Sequence, residues 1–189
     1  MLPGKGFWRS MAERAQRRTY LRLALSAAER LRGHWALFGA VVEKAALPGQ
    51  DAIEYAFEAI VIRFDNFLKR EHRRGNTHRG LIILDKSTRE TRLQSLAREM
   101  KKQGHRWGAL ANRADVPMFV DSSATRAVEY VALVSYALWQ RFEKGDAEFL
   151  NAISGRFDRE GAVVHGLVHR TLDTTCDCDC CDMNRPRTR

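Results

Sequence analysis

Two groups of residues in this chain have types and spacings that suit chemistry. The first is carboxylic: Asp85 closes the apolar run Leu81-Ile82-Ile83-Leu84, Asp121 closes Val116-Pro117-Met118-Phe119-Val120, and Glu129 follows in the next helical stretch. Carboxylates converging from strand ends hold Mg²⁺ or Mn²⁺, hard oxygen-preferring cations that suit phosphodiester cleavage. Asp85 and Asp121 are the candidate metal ligands, and Asp85, Asp121 and Glu129 the candidate catalytic set. Strand-end carboxylates also cap the helices that follow, and capping alone is the competing reading for Asp121 before Ser122-Ser123.

The second group is soft. His165 and His169 precede Cys176, Cys178, Cys180 and Cys181. Zinc on His165, His169, Cys176 and Cys178 is the disfavoured reading, because ligand pairs in structural zinc sites usually come from separate knuckles and here all four thiols share one short run. The favoured reading is a flexible, redox-sensitive Cys/Arg-rich tail over 171–189, after a single α/β domain over 1–170. Disulfides within so short a run would be strained.

The elements that must carry these residues follow from hydrophobic periodicity. Residues 10–31 read as a helix capped by Ser10, and 34–42 as a short buried strand. Asp51 caps a helix to about 70, with apolar positions three and four apart. Residues 80–85 form the clearest strand, Ser87 and Glu90 make a capping box for a helix to 103, and 116–121 form a third strand. Helices over 123–143 and 147–157 complete the pattern. Strand and helix alternating at these intervals imply an α/β layer structure with a partly parallel sheet, and sites in such sheets form at the carboxyl ends of strands.

Composition sets the limits. In 189 residues, 44% are hydrophobic, 29% charged and 9% aromatic, which excludes collagen, coiled-coil rod and wholly disordered chains. No apolar run approaches the roughly 18 residues of a membrane-spanning helix, and the basic N-terminus lacks the apolar stretch of a secretory signal. The expected location is the cytoplasm, with no membrane partner. Lys and Arg exceed Asp and Glu by 32 to 23, a net charge of +9, which favours an anionic partner. Residues 69–106 hold twelve basic against four acidic side chains, nearly the whole excess. Arg73, Arg74, Arg79, Arg89, Lys101 and Lys102 are the candidate phosphate contacts for RNA or DNA, and a solvated basic face is the competing reading.

The stretches 54–68, 80–85 and 119–122, with 123–138, Arg141-Phe142-Glu143-Lys144-Gly145-Asp146 and Gly166-Leu167-Val168-His169, together resemble the bacterial and archaeal family called domain of unknown function 3800. The resemblance covers about residues 20–170. It implies a ribonuclease H-like mixed sheet with helices packed on it, and metal-dependent nuclease chemistry. Members open with a strand carrying Asp-Glu, which has no counterpart before Ser10, and their late-helix Gln-x-x-Asp falls here on Glu129 and Ala132. The expectation is therefore a domain lacking the first strands, catalytically degenerate, with a residual nucleic-acid-binding surface; the alternative is a non-catalytic protein–protein interaction component. Loss of a central strand leaves residues 34–42 and 81–85 three outcomes: direct pairing, instability, or a homo-oligomer that borrows a strand.

Overall fold

The computed structural model describes residues 14–27, 30, 35–104, 112 and 116–182. Ser10, the expected cap of the first helix, lies outside them. The chain is mixed α/β and divides into two compact units, one formed by residues 1–36 with 129–156 and the other by 37–128 with 157–189. Residues 171–182 are grouped with the strands of the second unit.

In the second unit β1 (Gly39–Val42) leads to α2 (Ala52–Arg73), β2 (Ile83–Asp85), α3 (Glu90–Gln103) and β3 (Met118–Val120); α1 (Arg14–Ala27) is in the first unit. The helix α2 starts at Asp51, whose carboxylate accepts the N–H groups of Ile53 at 2.8 Å and Glu54 at 3.1 Å and so satisfies two orphan donors. Its apolar stripe buries Phe57, Val61 and Ile62 against Leu93, Leu96, Ala97 and Met100 of α3, and Ile82, Leu84 and Phe119 of the β2–β3 layer pack onto the same cluster. Each large side chain buried in this way contributes about 1.5–3 kcal/mol. The start of α3 falls at Arg89 rather than Ser87; Glu90 accepts the Ser87 N–H at 3.3 Å, and the Ser87 hydroxyl accepts that of Arg89.

Among the described residues, three two-stranded sheets stand where a single mixed sheet was expected. The strand β2 pairs in parallel with β3, and β1 pairs in parallel with β6 (Leu167–Arg170), in register Gly39 to Leu167 through Val42 to Arg170. Of the three outcomes for residues 34–42 and 81–85, direct pairing is not seen among the described residues: β1 pairs with β6, which the sequence does not reveal, and β2 with β3. A hairpin of β4 (Arg159–Glu160) and β5 (Val163–Val164), turning at Gly161 with φ +58°, precedes β6. Phe38 beside β1 meets Phe64 and Phe67 of α2 edge to face, at 6.0 and 5.8 Å, so α2 covers this layer as well.

The first unit joins α1 to α4 (Arg126–Lys144), which belongs to it from Glu129 onward, and to α5 (Glu148–Asn151). Phe149, Ile153 and Leu25 are almost wholly buried there. Arg18 of α1 pairs with Glu148 and, at 2.7 Å, with Asp146, while its guanidinium lies 4.9 Å over the Phe149 ring. No described helix is long and apolar enough to cross a membrane.

Candidate metal centre

His169 is the third residue of β6, opposite Val41 in the ladder. Gly39 N–H to Gly166 C=O at 2.7 Å and Glu43 N–H to Arg170 C=O at 2.8 Å extend the pairing at both ends, which holds the strand bearing His169 in place. Beyond Arg170 the chain reverses. Thr171 Oγ1 accepts the Asp173 N–H at 3.0 Å, and the Asp173 carboxylate accepts the Thr175 N–H at 2.8 Å, two local side-chain turns. The helical turn α6 (Asp179–Asp182) follows, closed by Cys181 N–H to Cys178 C=O at 2.9 Å.

This path brings Cys176, Cys178 and Cys181 back to the imidazole. Their Sγ atoms lie 3.4, 3.4 and 3.5 Å from His169 Nδ1, and all four donor atoms fall within 4.8 Å of one another. One ring nitrogen can serve a single thiol hydrogen bond, so three equal distances describe a shared centre rather than three bonds. A tetrahedron with Zn–S of about 2.3 Å and Zn–N of about 2.0 Å has S···N edges of about 3.5 Å. Thiolate and imidazole donors select soft or borderline cations, and a closed set of four suits a structural ion.

The thiols differ in readiness to ionise. Burial opposes ionisation of Cys178, but hydrogen bonds from Cys180, Cys181 and Cys176 outweigh it and hold this thiol below its usual value. Burial first, then the neighbouring Cys178 and Cys176, push Cys181 up to about 12. A cation bound among these sulfurs would favour the thiolate of each ligand, since it binds only thiolate. Cys180, buried and 3.4 Å from Cys178, is the cysteine outside the set.

Of the four residues in the disfavoured zinc reading, three come together. His169, Cys176 and Cys178 converge, whereas His165 lies beside Glu160 at 3.3 Å and Cys181 takes the fourth place. Of the tail expected over 171–189, residues 171–182 fold back onto β6. The available signal was Cys178-x2-Cys181, the two-residue gap of a zinc knuckle hidden inside a denser run.

The carboxylate candidates are placed differently. Asp85 and Asp121 stand at neighbouring ends of β2 and β3, both exposed. Asp85 accepts the Ser122 N–H at 3.3 Å; Asp121 accepts the Ser123 hydroxyl at 2.6 Å and N–H at 2.9 Å, contacts that lower its pKa. Glu129 belongs to the first unit. Among the described residues the His/Cys set is the group of three or more candidate ligands close enough to share an ion.

The basic candidates are split by helix direction. Arg89 pairs with Asp51 and Arg92 with Glu54, each at 2.6 Å, so the N-termini of α2 and α3 lie together and the helices run parallel. Arg89 thus shares the end of the layer where Asp85 stands. Arg73, Lys101 and Lys102, exposed in the last turns, belong to the opposite end, about 20 Å away along α3. Arg74 is held by Glu71 at 2.6 Å and Glu160 at 3.6 Å, and Arg79 is exposed just before Gly80.

No family model, curated protein or solved structure matches the chain. Fold and site together define a mixed α/β protein with a His/Cys centre that could hold a metal ion.

Proposed function

We propose that this chain is a zinc-binding α/β protein in which the metal fastens the C-terminal segment to the β1–β6 layer, and whose exposed cations contact the phosphate backbone of RNA or DNA without cleaving it. The approach of three Sγ atoms to His169 Nδ1 at 3.4–3.5 Å carries the reading. Binding energy at such a centre is folding energy for the segment that supplies the ligands. Purified protein should hold one zinc per chain by elemental analysis. Cys176→Ser, Cys178→Ser, Cys181→Ser and His169→Gln should each remove most of it, while Cys180→Ser retains it. Protein that takes up no zinc when refolded with the metal sinks the proposal.

A degenerate metal-dependent nuclease of ribonuclease H-like type is the second reading, favoured by Asp85 and Asp121 at adjacent ends of parallel strands. Few anionic ligands stand there to offset two divalent cations. Cleavage of RNA or DNA with Mg²⁺ or Mn²⁺, abolished in Asp85→Asn, would establish it over the non-catalytic reading.

A further inference from the structure

Arg63 lies on the helix α2, half-buried, and its Nε is shielded from solvent with no hydrogen-bond partner. A guanidinium stays charged and offers five donors in a fixed fork, so a desolvated donor left unmet is costly. Burial disfavours its charge, and the neighbouring titratable side chains that act on it are a thiol, Cys180, and a phenol, Tyr55, rather than a carboxylate.

Arg63 also lines two cavities. The larger, about 880 Å³, runs between α2 and β6 and includes Tyr55, Asn66, His169 and Arg170 in its wall. The smaller, about 260 Å³, is bounded by Arg63, Asn66, Arg70 and Cys180. A space of this size accepts a small molecule. Asp51, Glu54 and Glu58 bring negative charge to the wall, but Arg89 and Arg92 each lie 2.6 Å from the first two and neutralise them. Glu58 then stands against Arg63 and Arg170, an excess of one positive charge. That balance fits a single small anion and disfavours a polyanionic strand.

We propose that the groove between α2 and β6 binds a small oxyanion, a carboxylate or a phosphate monoester, with Arg63 as its anchor. The fork of the guanidinium matches either group in a two-point contact. Asn66, one turn further along α2, and Arg170 on the facing strand supply further donors. The unmet Arg63 Nε is an observation separate from the His/Cys geometry; zinc on three thiolates and one imidazole would add about one negative charge at the groove wall, so the titration is run on metal-depleted and zinc-loaded protein alike.

The test is calorimetric titration of the full chain with inorganic phosphate and, separately, succinate, at constant ionic strength in chloride. The expected result is saturable binding of one equivalent of one probe, weakened at least about tenfold in Arg63→Gln. The better probe identifies the class of oxyanion. Arg63→Lys, which keeps the charge and loses the fork, should bind between the two. Should Arg63→Gln fail to fold, Asn66→Ala and Arg170→Gln take its place, and each should weaken binding. Overturning results are the absence of saturable binding by either probe up to about 10 mM, affinity unchanged in the variants, or an Arg63→Gln protein that loses zinc while its anion affinity stays intact. The last would make Arg63 a counter-charge to the metal–thiolate centre.

Discussion

The carboxylate of Glu43 accepts the backbone N–H of Leu172 at 2.8 Å, which ties the start of the cysteine-bearing segment to the residue that follows β1. Thr171 Oγ1 donates to the same oxygen at 2.7 Å. The Leu172 amide first, then the Thr171 hydroxyl, hold this carboxyl below its ordinary value of 4.5. A carboxyl depressed in the folded state stabilises fully above its unfolded value, and the contribution vanishes as pH falls through the lowered folded value. Wild type should therefore melt above Glu43→Gln at pH 6 to 7, with the gap closing below about pH 4. The melts belong in chelator, so that proton competition for metal ligands drops out. A gap that persists unchanged at pH 3 contradicts the assignment.

Gly166 fixes how β6 enters the layer. A Cβ there would stand 2.3 Å from the Leu37 carbonyl oxygen and 2.5 Å from the Asp158 nitrogen, both backbone atoms that cannot swing aside. The Leu37 oxygen also accepts the Asp158 N–H at 3.2 Å, so any shift breaks that hydrogen bond too. Gly166→Ala should cost about 1–3 kcal/mol or more by denaturant unfolding and reduce zinc uptake, because β6 carries His169. Wild-type stability with full zinc occupancy would contradict this packing.

Arg70 and Asp158 form an ion pair with both side chains nearly buried, 11% and 8% exposed. Removing one charge strands the other in low dielectric, at a typical cost of about 3–5 kcal/mol. Asp158→Asn should fall toward the low end of that range, because Glu160 remains 3.7 Å from Arg70. The double variant Arg70→Met with Asp158→Asn should recover part of the loss. Additive losses in that cycle would mean that the pair does not interact.

What the sequence made legible was local. Asp51 as a cap, the stripe from Phe57 to Leu68, and the strand ends at Asp85 and Asp121 each follow from a period or a capping rule within a few residues. The strand β6 is four residues, Leu-Val-His-Arg, with no alternation strong enough to mark it, and the hairpin before it has strands of two. Their pairing partners lie far away in sequence, and loop closure between distant segments leaves no mark in composition. The metal centre was missed for the same reason. The cysteines were visible, but the return of residues 171–182 onto β6 depends on Glu43, Thr171 and Asp173 acting together, and none of these looks exceptional alone.

The basic residues divide by their partners, and this yields the last prediction. Arg73, Lys101 and Lys102 are exposed in the last turns of parallel helices, where positive charge also complements the helix dipoles. Arg74 and Arg89 are held by carboxylates within 2.6 Å, so a phosphate would have to displace an existing partner to reach them. Binding of a labelled single-stranded oligonucleotide, followed by fluorescence anisotropy, should weaken steeply with salt. Neutralising Arg73, Lys101 and Lys102 together should lower the slope of log K against log salt by about 0.7 for each phosphate that these cations engage. Arg74→Gln and Arg89→Gln should change it far less. If the helix-dipole role is the whole role of the three cations, their removal will lower the melting temperature slightly and leave the slope of log K against log salt unchanged from wild type.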